Sequence, residues 1–148
     1  MMHPPCPLCE AAGGALIFQT EKFRVIRADE VGFPAFYRVV WSEHVAEFSD
    51  LAAPDQLLCM QAVAVVEQAL RDVLQPSKIN LAALGNMVPH LHWHVIARFD
   101  WDSHFPAPVW APAQREIAAD KLLTVQQQRG TLEQLMTQRL EAQARHTA

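Results

Sequence analysis

No apolar run in this 148-residue chain approaches the roughly 18–20 residues that a membrane span needs. Its five glycines, two of them adjacent as Gly13-Gly14, form no phosphate-cradling loop, which argues against a P-loop enzyme. Cysteine is scarce and odd in number, at three, and Met1–Glu10 has no signal-peptide pattern. A disulfide scaffold does not fit those facts, and a reducing, cytoplasmic setting is expected. Positive charge is also in short supply: 12 basic side chains face 16 acidic ones, for a formal net charge of −4. A general nucleic-acid binder would need a basic surface instead. What the chain does have is apolar substance. Hydrophobic residues make up 51% against 19% charged, so it folds rather than staying disordered, and its length suits one domain.

The hydrophobic pattern divides the chain into strands, a long helix, more strands and a helical tail. Leu16-Ile17-Phe18 and Phe23–Arg27 read as a strand pair across a polar turn, and Phe36–Trp41 as a third, β-branched and aromatic strand. A helix starts near Pro54-Asp55, where proline and an acidic residue suit the first turn, and stops at Gln75-Pro76. Leu58, Ala62, Val65, Val66, Ala69 and Val73 give it one apolar stripe. Ile79–Leu84 and Leu91–Phe99 follow as strands joined by Gly85–Pro89. Pro106, Pro108 and Pro112 exclude regular structure to about residue 113. Beyond it Gly130 is expected to break the helical tail, with the capping box Thr131-Leu132-Glu133-Gln134 opening a last helix on Leu132, Leu135, Met136 and Leu140. The class is α+β, an antiparallel sheet of about five strands packed on a long helix.

Two rare residue types are clustered. Three of the seven histidines lie in His90-Leu91-His92-Trp93-His94, and two of the cysteines in Cys6-Pro7-Leu8-Cys9. A chance H-x-H-x-H in such a chain is expected on the order of 1–2% of the time. Along a strand the three imidazoles share one face with Ile96 and Arg98, while Leu91, Trp93, Val95 and Ala97 form a core face. Three adjacent imidazoles make poor core, because each needs buried hydrogen-bond partners. The row therefore either ligates a catalytic metal, performs nucleophilic chemistry, or is an exposed sheet face with incidental histidines. Arg98 is a candidate to neutralise phosphate or a plain surface arginine at a sheet edge. Cys6-x-x-Cys9 is half a tetrahedral zinc site, or two unconnected buried thiols. Cys59 falls in the long helix as core, and His3, His104 and His146 have no assigned partner.

His90-Leu91-His92-Trp93-His94-Val95-Ile96 resembles the signature of the histidine triad (HIT) family of nucleotide hydrolases and transferases, which alternates histidine with apolar residues and ends on two apolar positions. The stretch Asn80–Pro89, the continuation Ala97-Arg98-Phe99 and Pro106-Ala107-Pro108-Val109-Trp110 look like a bacterial branch of it. The resemblance implies a HIT-like domain over residues 1–112, with 113–148 as a helical extension packed on or near it. It implies a nucleotide substrate attacked at its α-phosphate by His92, through a covalent nucleotidyl-histidine, with His94 at the phosphate or leaving oxygen. Asn86 would contact the phosphate, Asn80 would orient the substrate, and Asp29 would lie near the ribose hydroxyls. A zinc-binding subset of the family implies Cys6, Cys9, His44 and His90 as a closed structural shell, no organic cofactor, and a homodimer. One departure is plain. Many relatives carry a further histidine eight residues before the position of His44, and here that residue is Phe36. A metal-dependent hydrolase with zinc on the histidine row and a non-catalytic nucleotide-binding protein stand as the alternatives.

Overall fold

The structure, a computed structural model, describes residues 5–147, so His3 lies outside it. Five strands form one antiparallel sheet: β1 Ala15–Gln19, β2 Phe23–Arg27, β3 Phe36–Trp41, β4 Lys78–Ala82 and β5 His92–Arg98, in the order β1-β2-β3-β5-β4. A short helix α1, Pro7–Glu10, precedes them; α2, Ala53–Leu74, joins β3 to β4; α3, Ala119–Thr147, ends the chain. This is the expected sheet on a long helix. No helix is long and apolar enough to cross a membrane among the described residues.

Strand alternation assigns the two faces. Phe23 and Val25 of β2, Tyr37, Val39 and Trp41 of β3, and Val95 and Ala97 of β5 enter the main core with the helices. The opposite face carries Ile26, Phe36, Arg38, Val40, His92, His94, Ile96 and Arg98. α2 ends where proline dictates: Gln75 takes a left-handed φ of 48° and donates its N–H to the carbonyl of Arg71, just before Pro76. Its buried stripe is Cys59, Ala62, Val63, Val66, Ala69, Leu70 and Leu74, with Leu58, Val65 and Val73 partly buried beside it. The stripe is wider than one apolar face because α2 packs on the sheet and on α3 at once.

The tail departs from expectation. Gly130 does not break it, and α3 runs unbroken for 29 residues from Ala119. Gly130 sits on an exposed side where an added Cβ would meet nothing within 4 Å. Its weak helix propensity costs about 1 kcal/mol, while Val125, Leu132, Met136 and Leu140, all buried in the main core, hold both halves of the helix in line. Glu133 serves Arg27 and Tyr37 from mid-helix, the latter through a 3.0 Å hydrogen bond from the Tyr37 hydroxyl.

Candidate functional site

The Cys6–Cys9 turn is built by α1. Pro7 fits the first helical position, and the Cys6 carbonyl accepts from the amides of Cys9 and Glu10 at 3.0 Å. Arg24, buried on β2, clamps this turn to the sheet by donating to the carbonyls of Leu8 (2.7 Å), Ala11 (3.0 Å) and Ala12 (3.0 Å). His44 arrives from the turn after β3, and His90 from the loop before β5. The His90 Nε2–H donates to the carbonyl of Trp41 at 2.6 Å, so its Nδ1 lone pair faces the other three residues.

The four donor atoms lie within 4.8 Å of one another. His90 Nδ1 is 3.5 Å from Cys6 Sγ, 3.4 Å from Cys9 Sγ and 3.2 Å from His44 Nδ1, which is 3.3 Å from Cys9 Sγ. Tetrahedral zinc with Zn–S near 2.3 Å and Zn–N near 2.05 Å would separate donors by about 3.3 Å for N to N and about 3.5 Å for S to N. The donor set and spacing fit that ion. Four protein ligands fill the shell and leave no position for water, the pattern of a structural site.

The next two histidines of the row face elsewhere. His92 Nδ1–H donates to the carbonyl of His90 at 2.6 Å. Its ring lies 4.9 Å from that of His94, nearly perpendicular. His94 is buried, with Phe36 edge-on at 5.5 Å, Trp110 at 5.3 Å, and Arg38 Nε donating to its Nδ1 at 3.3 Å. Burial first, and the positive charge of Arg38 as well, pushes the His92 pKa below its ordinary value despite the carbonyl. Burial, then His92 and Arg38, pushes His94 down to about 4. Both rings are neutral at pH 7. A groove of about 240 Å³ opens beside His92, between Ala46–Phe48, Ala83–Gly85 and Trp93. Another cavity, about 690 Å³ between the β1–β2 turn, α2 and α3, contains none of the row.

The remaining candidates scatter. Arg98 is not an exposed arginine at a sheet edge: β5 is an internal strand between β3 and β4, and Arg98 is 2% exposed. Its Nε and Nη2 grip Asp102 at 2.8 and 3.1 Å, Nη1 donates to Asn80 Oδ1 at 2.8 Å, and Nη2 also reaches the carbonyl of Ala107 at 2.7 Å. Every guanidinium nitrogen is engaged inside the fold, holding the loop that leads to Trp110. Asn86 is exposed in the loop after β4, where Gly85 takes a φ of +70°. Asp29 is exposed and lines a separate cleft of about 620 Å³ with Glu30, Phe33 and Arg129.

Sequence reasoning passed over Arg38 and Asp102 and gave Trp110 no role of its own. Arg38 carried a readable signal: it shares the parity of Phe36 and Val40 on β3, so it lies off the core face. That it stands directly opposite His94 depends on the β3–β5 register.

A protein-family model described as the HIT domain matches residues 11–101. Among solved structures, a histidine triad protein from Bradyrhizobium japonicum is 28% identical over 84% of this chain and 92% of its own, with a TM-score of 0.70. One from Sinorhizobium meliloti is 26% identical over 84% and 89%, with a TM-score of 0.67. A zinc-bound histidine triad family protein from Mycobacterium smegmatis, 20% identical over 88% and 94%, shares the fold at a TM-score of 0.56. No curated protein matches. With more than half its length under that family model, its histidine row running from the loop before β5 into that strand and a four-donor metal site at the row's first member, the chain belongs to the histidine triad family.

Proposed function

We propose that the chain acts on nucleotides at the α-phosphate, as a phosphohydrolase or nucleotidyl transferase, with His92 as nucleophile. The observation that carries this reading is the 2.6 Å hydrogen bond from His92 Nδ1–H to the His90 carbonyl. It fixes the tautomer in which Nε2 holds a lone pair and needs no deprotonation before attack. In the reaction the Nε2 lone pair bonds to phosphorus, and the bond to the leaving group breaks with its electron pair departing on that group. Water then attacks the phosphorus, the P–N bond returns its pair to Nε2, and the water's proton passes to solvent. An alcohol or a phosphate in place of water would make the same intermediate a donor for nucleotidyl transfer. His94 would stabilise charge on the phosphoryl or leaving oxygen. Asn86 would meet the phosphate, Asn80 would orient the substrate while accepting from Arg98, and Asp29 would approach the ribose from the cleft it lines.

Only His90 of the row belongs to the four-donor cluster, and His92 Nδ1 is taken by a carbonyl. Both facts weigh against a catalytic metal on the row. Zinc held by Cys6, Cys9, His44 and His90 would tie the N-terminal turn to the sheet and fix the carbonyl on which His92 rests. The thiols are unpaired in the fold, which suits a reducing cytoplasm. The outer edge of β4, with Leu81 exposed, is the proposed seam of a homodimer. Mass spectrometry after mixing with an adenylated substrate tests the reading. It should show an AMP adduct that His92→Ala abolishes while retaining metal. Binding of AMP with neither adduct nor turnover across a nucleotide panel would establish a non-catalytic binding protein instead.

A further inference from the structure

Arginine has five N–H donors and no acceptor. An imidazole nitrogen that receives an arginine N–H must therefore be bare, and Arg38 Nε donates to His94 Nδ1 at 3.3 Å. The contact is built into the sheet, since Arg38 and His94 are directly opposed across β3 and β5. Two further contacts hold the guanidinium there: its centre stands 5.3 Å from the ring of Phe36, and Nη2 lies 3.5 Å from Glu30. His94 thus keeps its single ring proton on Nε2. An imidazolium would turn an Nδ1–H against the arginine N–H, donor against donor, beside a positive charge. His92 shows the mirror arrangement, because a carbonyl can only accept. Two neighbouring rings are thereby fixed in opposite tautomers, one with a bare Nε2 and one with a protonated Nε2.

From this, and resting on the nucleophile assigned to His92 above, we infer that Arg38 is a positioning residue that holds His94 as a neutral hydrogen-bond donor, and that the site takes anhydrides of nucleoside monophosphates rather than phosphoramidates. A neutral Nε2–H steadies negative charge on a phosphoryl or leaving oxygen but does not hand over a proton as an imidazolium would. When a P–O–P or P–O–C(=O) bond breaks, the oxygen departs with the bonding pair as a phosphate or carboxylate anion, and no proton is required. When a P–N bond breaks, the amine must take up a proton as it leaves. The groups facing His94 supply none: Arg38 and Phe36 come from β3, His92 from its own strand, Ala82 from β4 and Trp110 from the following loop. His92 is by then bonded to phosphorus. The low His94 pKa points the same way.

Two measurements on the full chain test the inference separately from its premise. Long-range proton–nitrogen spectra of the histidine side chains, with His94 assigned through His94→Gln, should show a bare Nδ1 and a protonated Nε2 from pH 8 to pH 6. Arg38→Met should lose that pattern and raise the His94 titration, and Arg38→Lys should restore it in part. A protonated Nδ1 in the wild type would overturn the inference whatever the activity. In the second measurement, kcat/KM at pH 7.5 for diadenosine triphosphate should exceed that for adenosine 5′-phosphoramidate by about 100-fold, the scale of a missing general acid. In Arg38→Met near pH 6 the gap should narrow by about 10-fold, as His94 gains a second proton to give. Comparable wild-type rates on both substrates would overturn the anhydride preference. Absence of both activities and of any His92 adduct would defeat the nucleophile assignment, and the spectra would still decide the role of Arg38.

Discussion

Replacing Asp102 by alanine isolates the buried pair that lies on the same sheet face as the site and holds the loop leading to Trp110. Arg98 and Asp102 are each 2% exposed and joined by two hydrogen bonds, at 2.8 and 3.1 Å. The same carboxylate accepts from the backbone amides of Phe99 (3.2 Å), His104 (2.9 Å) and Phe105 (2.7 Å). Burial alone raises the Asp102 pKa, but the Arg98 hydrogen bond and the His104 and Phe99 amides outweigh it, so the group ends below its ordinary value. Asp102→Ala leaves a guanidinium in the interior with only Asn80 and the Ala107 carbonyl as hydrogen-bond partners, beside the rings of Phe33 and Phe105. Breaking such a pair costs about 3–5 kcal/mol, a large share of the roughly 5–15 kcal/mol that stabilises a domain. With a urea slope of about 2 kcal/mol per molar, the midpoint should fall by about 2 M. Removing both charges in Arg98→Met/Asp102→Leu should cost less than Asp102→Ala, because no uncompensated cation remains. Urea unfolding of metal-saturated protein, followed by tryptophan fluorescence and by far-UV circular dichroism, reads both values. A loss below about 1 kcal/mol for Asp102→Ala, or a double variant less stable than the single, would refute the reasoning.

Other outcomes follow from the same geometry. Cys9→Ser should abolish stoichiometric zinc by elemental analysis, and chelation should lower the melting temperature of the wild type but not of this variant; an unchanged zinc content would dissolve the four-donor site. His94 has a folded pKa of about 4, below the ordinary value near 6.5, so the unfolded chain binds its proton first. Its contribution is therefore complete above about pH 7 and is lost as pH falls from about 6.5 to about 4, on the order of 3 kcal/mol. His94→Gln should flatten that part of the stability–pH curve, and an unaltered slope would contradict the assignment. Gly130→Ala should stabilise by about 0.5–1 kcal/mol in thermal unfolding, since the position is helical, exposed and open around the new methyl; destabilisation would mean α3 needs the glycine.

How far the sequence could be read depended on whether a feature is local. The alternation of β5 is local, and it separated His92 and His94 from Trp93, Val95 and Ala97 without any knowledge of neighbours. Gln75-Pro76 ended α2 by a steric rule acting on adjacent residues. Gly130 misled because its propensity is a local penalty of about 1 kcal/mol, whereas the continuity of α3 comes from Leu132, Met136 and Leu140 packing at long range. Cys6 and His90 are 84 positions apart, and nothing in their spacing brings them together; the zinc set came from family resemblance, and the structure supplied the distances. Arg98 looked exposed because strand order was unknown. β5 lies between β3 and β4 rather than at an edge, and the loop after it folds back over the Arg98 side chain, with Asp102 four residues on as its partner. Arg38 escaped for a related reason: a charged residue on the open side of a strand gives no sign of which histidine the register will set against it.

The nucleophile is tested most directly by intact-protein mass spectrometry after rapid acid-free quenching of the chain with an adenylated anhydride. His92 as nucleophile predicts a single added AMP, located by peptide mapping to His92 and absent from His92→Ala, with zinc retained in both. An adduct on another residue, or turnover that persists in His92→Ala and disappears on chelation, would contradict it.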